Sequence, residues 1–330
     1  MTRADRVELI DLSRAADDFA ADVRDGLTST PKALNPRYFY DDLGSILFEA
    51  ICRLPEYYVS RIEDGILASS AGDIVAAMEA PIRLVELGSG AATKTRHLIA
   101  AALQRQAGLS YIPIDIDRSM LRGTSDALAA EHEALRLTAI AGSFDEGVLA
   151  AMRLPAHLPG ERTLVLFLGS TIGNLEPEAR HHLLLQIRSG MRDGDAMLIG
   201  ADQDKSEAIL IPAYDDVLGV TAAFNRNVLG RINRELGGTF DVASFHHRAW
   251  YDRERKRIEM HLVSDIAQRI TVRESGIEVD FTEGESIHTE SSYKFTRDAV
   301  ATMAADTGFR LTRQWTDTGG WFADYLLTAT

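Results

Sequence analysis

In LVELGSGAATK, residues 84–94, an apolar run ends in an acid and two glycines bracket a serine. A strand ending at Glu86-Leu87 would release the chain into a turn. There Gly88 and Gly90 permit tight backbone geometry and close approach of a ligand. The next helix is expected near Ala92-Thr93, with its free N–H groups aimed at the loop. This is chemistry suited to a nucleotide; an ordinary strand-to-helix turn is the other reading. The dinucleotide fingerprint G-x-G-x-x-G is incomplete, because Thr93 stands at its third glycine.

Three other strand ends carry polar groups suited to binding a ligand. YIPIDID ends in Asp115 and Asp117. Asp115 is expected to accept hydrogen bonds from ribose hydroxyls, and Asp117 to cap the following helix. In GSFD, residues 142–145, Phe144 could lie against a purine and Ser143 could touch its edge, or Phe144 could be a core residue. In LGSTIGNL, residues 168–175, Asn174 offers both a donor and an acceptor, which suits a zwitterionic amino acid. Its alternative use is as a cap for a helix at Glu176.

These loops require an alternating framework, and the chain supplies one from residue 82. IRLVELG, SYIPIDID, LRLTAIAG, TLVLFLGS and DAMLIGAD read as strands, separated by helical periods. The fourth is nearly all apolar, as expected for a strand covered on both faces. The pattern predicts a parallel, doubly wound, Rossmann-like α/β sheet. FRLTRQWTD and WFADYLLTAT, joined by a Gly-Gly turn, predict a C-terminal antiparallel hairpin. This layout is that of the class I S-adenosylmethionine-dependent methyltransferase fold; a dehydrogenase would add a sixth parallel strand. Residues 205–294 interrupt the alternation with helical and then strand-like segments. With residues 1–62 they are expected to form an α+β substrate-binding domain beside a methyltransferase domain of 63–204 and 295–330.

Composition narrows the possible partners. The 330 residues carry a net charge of −14, which repels phosphate backbones and disfavours nucleic acid. A single cysteine, Cys52, excludes an intrachain disulfide and a multi-cysteine zinc site, and its apolar context suggests core packing. The pairs His181-His182 and His246-His247 lack a third ligand at metal spacing, so no metal is expected. DRERKR, residues 252–257, reads as a solvated hairpin tip. No G-x-S-x-G elbow is present. The N-terminus shows no apolar leader, and no run of about 18 apolar residues suggests a membrane span. A cytoplasmic monomer is expected.

YFYDDLGSILFEAICRLPEYY, residues 38–58, adds a specific signature. With LVELGSGAATKTR, YIPIDID, LFLGSTIGNLEP, LIGADQDK and FTEGESIHTESSYKF in order, the chain resembles the histidine-specific Nα-methyltransferases of ergothioneine biosynthesis almost end to end. The resemblance implies three methyl transfers from S-adenosylmethionine to the α-nitrogen of L-histidine, giving hercynine, with S-adenosylhomocysteine as the other product. It implies that Tyr40 and Tyr57 line the substrate cleft. Gly169, Asn174 and Tyr214 would meet the amino acid's polar end. Glu290 and Ser292 would hydrogen-bond the imidazole, and Met260 would pack beside it. Gly88, Lys94, Asp115, Ser143 and Phe144 would contact the cofactor. At Ser143 the sequence departs from the family pattern, where an acid is expected. No dedicated base is identifiable; a proton could leave through water near the catalytic candidates Tyr40 and Asn174. Methylation of another amino acid or a related amine is the nearest rival reading, and nicotinamide chemistry a more distant one.

Overall fold

Runs buried on both faces become the central strands. The computed structural model describes residues 7–12 and 17–330; residues 1–6, the start of the N-terminus read above, lie outside the described residues. The elements run β1 (Val7–Asp11), α1 (Asp17–Thr28), β2 (Lys32–Ala33), α2 (Asp42–Ile51) and α3 (Tyr58–Ala76). The alternating region follows as β3 (Ile82–Leu87), α4 (Thr95–Leu103), β4 (Leu109–Asp115), α5 (Arg118–Glu131), β5 (Leu135–Ala141) and α6 (Phe144–Arg153). It continues through β6 (Arg162–Phe167), α7 (Pro177–Gly190) and β7 (Ala196–Asp202). The interrupting segment contributes α8 (Glu207–Leu210), α9 (Val220–Leu236), β8 (Phe245–Asp252), β9 (Arg257–Ser264), β10 (Gln268–Val272), β11 (Ile277–Phe281) and β12 (Ser286–Tyr293). The chain closes with α10 (Arg297–Asp306), β13 (Phe309–Thr316) and β14 (Phe322–Ala329).

The described residues divide into two compact units, 7–12 with 59–204 and 295–330, and 17–58 with 205–294. The expected boundary at residue 62 falls inside α3. Val7–Asp11, assigned in the sequence to the other domain, pairs in parallel with β5, because its backbone completes the edge of that sheet.

In the first unit an eight-stranded sheet runs β1-β5-β4-β3-β6-β7-β14-β13. Strands β1 to β7 of this sheet pair in parallel, and β14 pairs antiparallel with both β7 and β13. Every residue of β3 and β7 is buried, which fits apolar sequence covered on both faces. Leu67 and Ile74 of α3, Leu98 and Ile99 of α4, and Leu84, Leu164 and Leu198 of the sheet share one core. Helix α5 starts where Asp117 accepts a hydrogen bond from Met120 N, as expected. Helix α4 starts at Thr95, later than expected, because Ala92 takes a left-handed conformation (φ 51°).

In the second unit a four-stranded sheet runs β2-β12-β9-β8, beside the β10–β11 hairpin. Helix α9 turns Phe224, Val228, Ile232 and Leu236 inward at helical spacing. Asp216 caps it by accepting from Val220 N and Thr221 N. Asp41 caps α2 through Gly44 N and also accepts from Asn227 of α9 at 2.7 Å. Strand β12 changes register against β9 between His288 and Glu290. His288 therefore pairs with His261, whereas Glu290 pairs with Met260 and Ser292 with Ile258. The intervening Thr289 donates its hydroxyl to Met260 O at 3.0 Å.

Gly200 of β7 leaves the space that the Glu63 side chain of α3 fills; a Cβ there would overlap the carboxylate. Glu63 is fully buried and its partners hold it in place, so it has little room to yield. Gly200→Ala is expected to destabilise the protein by about 1–3 kcal/mol, lowering its thermal midpoint by several degrees. An unchanged midpoint in a calorimetric melt would show that the helix shifts freely.

Candidate active site

In the first unit the polar loops converge on a few buried acids. Gly88, at φ 71°, turns the chain out of β3. The edge of the Phe144 ring stands 3.6 Å from where a Gly88 Cβ would be. Phe144 is half-buried, at the first position of α6, and packs edge-on against Phe167 with centroids 5.4 Å apart. Ser143 caps α6 through a long contact from Glu146 N (3.4 Å), and its hydroxyl also faces the Glu146 carboxylate. Asp115 accepts from Gly90 N at 2.8 Å and from Asp117 N at 3.0 Å. It thereby pins the glycine loop to the end of β4. Burial raises the Asp115 pKa, and those N–H donors oppose the rise.

Lys94 does not stand alone. Its ammonium pairs with Glu63, whose two oxygens also receive Gly169 N at 2.8 Å. Burial alone would depress the Lys94 pKa, but the Glu63 charge outweighs it and the net shift is upward. Asp324 of β14 completes the cluster. Burial first, then the Glu63 charge, pushes it well above the usual carboxylate range. Glu86 accepts from the Thr95 hydroxyl at 2.6 Å and from the Tyr111 hydroxyl. Burial still pushes it up to about 7. Asn174 ends a 3-10 turn (Thr171–Asn174) and does not cap α7, whose N-cap is Glu176. Among the described residues its amide makes no hydrogen bond, leaving both donor and acceptor available.

The second unit holds the other candidates together. Tyr40, Phe48, Phe224, Tyr57 and Tyr214 form one aromatic array. Phe48 contacts Tyr40, Tyr57 and Phe224 at 5.6, 6.3 and 6.0 Å, and Tyr57 contacts Tyr214 at 6.1 Å. Phe48 and Phe224, not singled out in the sequence, are the residues that join the tyrosines. Phe224 stands at helical spacing with Val228 and Ile232, a pattern that does not distinguish an array member from core. Burial raises the Tyr57 pKa well above its ordinary value, with Tyr214 adding to the effect, so Tyr57 stays a neutral phenol and cannot act as a base. His247 bonds Tyr214 O through Nε2 and the Asn225 amide through Nδ1, each at 2.8 Å. This fixes the backbone that presents Tyr214.

Glu290 is 7% exposed, lies opposite Met260, and makes no hydrogen bond among the described residues. Burial pushes it up to about 7, against the pull of the Lys294 charge. Ser292 and Tyr214 share a hydrogen bond of 2.8 Å, and Lys294 donates to both hydroxyls at 2.9 Å. Lys294 and Glu63 were invisible in the sequence as site components, because a single charged residue carries no periodicity that would announce its burial.

The remaining expected features differ in detail. Cys52 is half-buried rather than core, because it lies just past the end of α2. Arg257, at the end of the expected solvated tip, is buried and donates to Glu259, which also meets His261. His261 stacks on Trp250 at 3.9 Å, and burial lowers its pKa to about 4. Glu259, His261 and His288 have ligand-type atoms within 4.8 Å of one another, yet Arg257 already neutralises the carboxylate a cation would need.

Glu86 and Glu290 each hold a proton more tightly in the folded chain than in the unfolded one. Their stabilising effect is complete below the ordinary value of 4.5 and is lost as pH rises through about 7. Urea midpoints should therefore fall between about pH 5 and pH 7.5, and fall less in Glu290→Gln. Equal falls in both proteins would mean that Glu290 ionises without penalty.

A family model for histidine-specific, S-adenosylmethionine-dependent methyltransferases matches residues 19–329. A Mycolicibacterium smegmatis protein named histidine N-alpha-methyltransferase is 44% identical over 308 residues, covering 93% of this chain and 94% of its own. Schizosaccharomyces pombe ergothioneine biosynthesis protein 1 is 24% identical over 88% of this chain and 38% of its own length. A solved structure from Thermobifida fusca, assigned to the methyltransferases, has a TM-score of 0.51 at 12% identity, covering 95% of this chain and 97% of that one, and shares the fold. No helix among the described residues is long and apolar enough to cross a membrane. The family match over nearly the whole length, on a sheet with this strand order and hairpin, means that the chain belongs to the histidine-specific, S-adenosylmethionine-dependent methyltransferases.

Proposed function

We propose that this protein methylates the α-amino nitrogen of L-histidine three times, forming hercynine for ergothioneine biosynthesis. The observation that carries the reading is Glu290. A buried carboxylate with no hydrogen-bond partner among the described residues is costly unless a ligand completes it. An imidazole N–H would do so, with Ser292 two residues along β12 and Met260 opposite as an apolar flank. A ring without that N–H would leave the acid unpaired, a difference worth up to about 10⁴-fold in discrimination.

The remaining assignments follow the same logic. Tyr40 and Tyr57 line the amino acid's path, while Tyr214 and the amide of Asn174 meet its polar end, near Gly169. Gly88, Lys94, Asp115, Ser143 and Phe144 serve the cofactor, with Asp115 keeping acceptor capacity for a ribose beyond its two backbone bonds.

The sulfonium supplies an already activated methyl group, so the protein's tasks are orientation and exclusion of water. The amine lone pair forms the new N–C bond as the C–S bond breaks. In the first two rounds the nitrogen then gives a proton to solvent; the third round leaves a quaternary cation. Neutral aromatic faces such as Tyr40, Phe48 and Phe224 tolerate that cation better than a lysine or arginine would.

Mass spectrometry of histidine incubated with enzyme and cofactor is expected to show a gain of three methyl groups on the α-nitrogen. Modification of a different amino acid in preference would redirect the assignment. Glu290→Ala should raise the histidine KM at least about tenfold while S-adenosylhomocysteine still binds. Asp115→Ala should do the reverse in calorimetry, weakening S-adenosylhomocysteine, and an unchanged affinity would move the ribose contact elsewhere.

A further inference from the structure

Lys294 follows β12 directly and is 4% exposed. Its Nζ lies 2.9 Å from both the Tyr214 and Ser292 hydroxyl oxygens and 4.6 Å from the centre of the Tyr214 ring. An ammonium only donates, whereas each hydroxyl has one hydrogen and two lone pairs. Lys294 therefore occupies one lone pair on each oxygen. The hydroxyls lie 2.8 Å apart, a spacing that fits either direction of donation; we assign the phenol, the stronger acid, as donor to Ser292. Ser292 then has both lone pairs filled and its own hydrogen left to give. Accepting from a cation also strengthens that outward donation.

We propose that Lys294 sets the hydrogen-bond polarity of the ring site, making Ser292 a donor to the substrate and so selecting a neutral imidazole in one tautomer. Its N–H faces Glu290, an acceptor when ionised, and its bare nitrogen faces Ser292. The proposal rests on the histidine reading. Lys294 acts through Ser292 and is a positioning residue. Its charge acts in the same sense on Glu290, favouring the ionised form against burial. An imidazolium, with two N–H groups, would set one against the Ser292 hydrogen and the Lys294 charge.

The test uses a pyrrole analogue of histidine, which keeps one ring N–H and has carbon in place of the second nitrogen. Inhibition by the analogue and KM for histidine are compared at about pH 8, where free imidazole is neutral. In the wild type the analogue should bind at least about tenfold more weakly than histidine, because it strands the Ser292 hydrogen. In Lys294→Met, Ser292 can turn its hydrogen to Tyr214, so the ratio should shrink to within about threefold while the histidine KM rises. Lys294→Arg, which keeps charge and donors, should retain the wild-type preference. S-adenosylhomocysteine affinity, measured by calorimetry, should be the same in all three.

A Lys294→Met ratio equal to wild type overturns the proposal, as does a wild type that binds both rings alike. If Lys294→Met fails to bind S-adenosylhomocysteine, Lys294→Arg decides alone, and loss of the preference there is fatal. A wild-type enzyme inactive on histidine removes both this proposal and the histidine reading. Wild-type turnover with an unaltered ratio in Lys294→Met removes only this one.

Discussion

The first unit is organised around a carboxylate with nowhere to go. Glu63 comes from α3, fills the gap left by Gly200 of β7, and binds both the Lys94 ammonium and the Gly169 amide. One side chain thus joins a helix to the loops after β3 and β6, with the buried Asp324 of β14 close enough to feel its charge. A charge so deeply buried is stable only when fully answered, and removing any partner would leave the others exposed to the same penalty. That constraint makes the loop geometry rigid before any ligand arrives.

Three of the buried acids, Glu63, Glu86 and Glu290, have three different fates. Glu63 is matched by a cation, Glu86 by two hydroxyls, and Glu290 by no hydrogen bond among the described residues. The first two make structure. The third keeps a binding capacity in reserve, and burial holds it near neutrality at physiological pH, poised between its two protonation states. Around it the second unit spends its aromatic residues on a continuous neutral surface, fixed from behind by α9 through Asn225, Asn227 and Phe224.

Much of the fold could be read from pattern alone. Strands β3 to β7 and the closing hairpin lie where alternation and turn residues put them, because apolar period and glycine placement are local signals. Asp117 caps α5 for the same local reason. Strand β1 escaped notice, since five residues at a sheet edge carry too little apolar sequence to stand out. Glu63, Lys294 and Arg257 escaped because a charged residue looks solvated until its partner, distant in sequence, is known. Of the candidates that were named, Tyr214 contacts both Tyr57 and Ser292. Phe48 and Phe224, which complete that array, belong to segments whose apolar residues all look like ordinary packing.

The shift in β12 at Thr289 has an evolutionary corollary. A regular strand would bind positions 288, 290 and 292 to one environment, so that changing any of them would disturb a single packed surface. The additional residue separates them: His288 belongs with the Glu259–His261 ladder, while 290 and 292 answer to Met260 and Ile258. Positions 290 and 292 can therefore be exchanged for other side chains while the ladder behind them keeps its packing, so that one scaffold can vary this face without relearning how to fold.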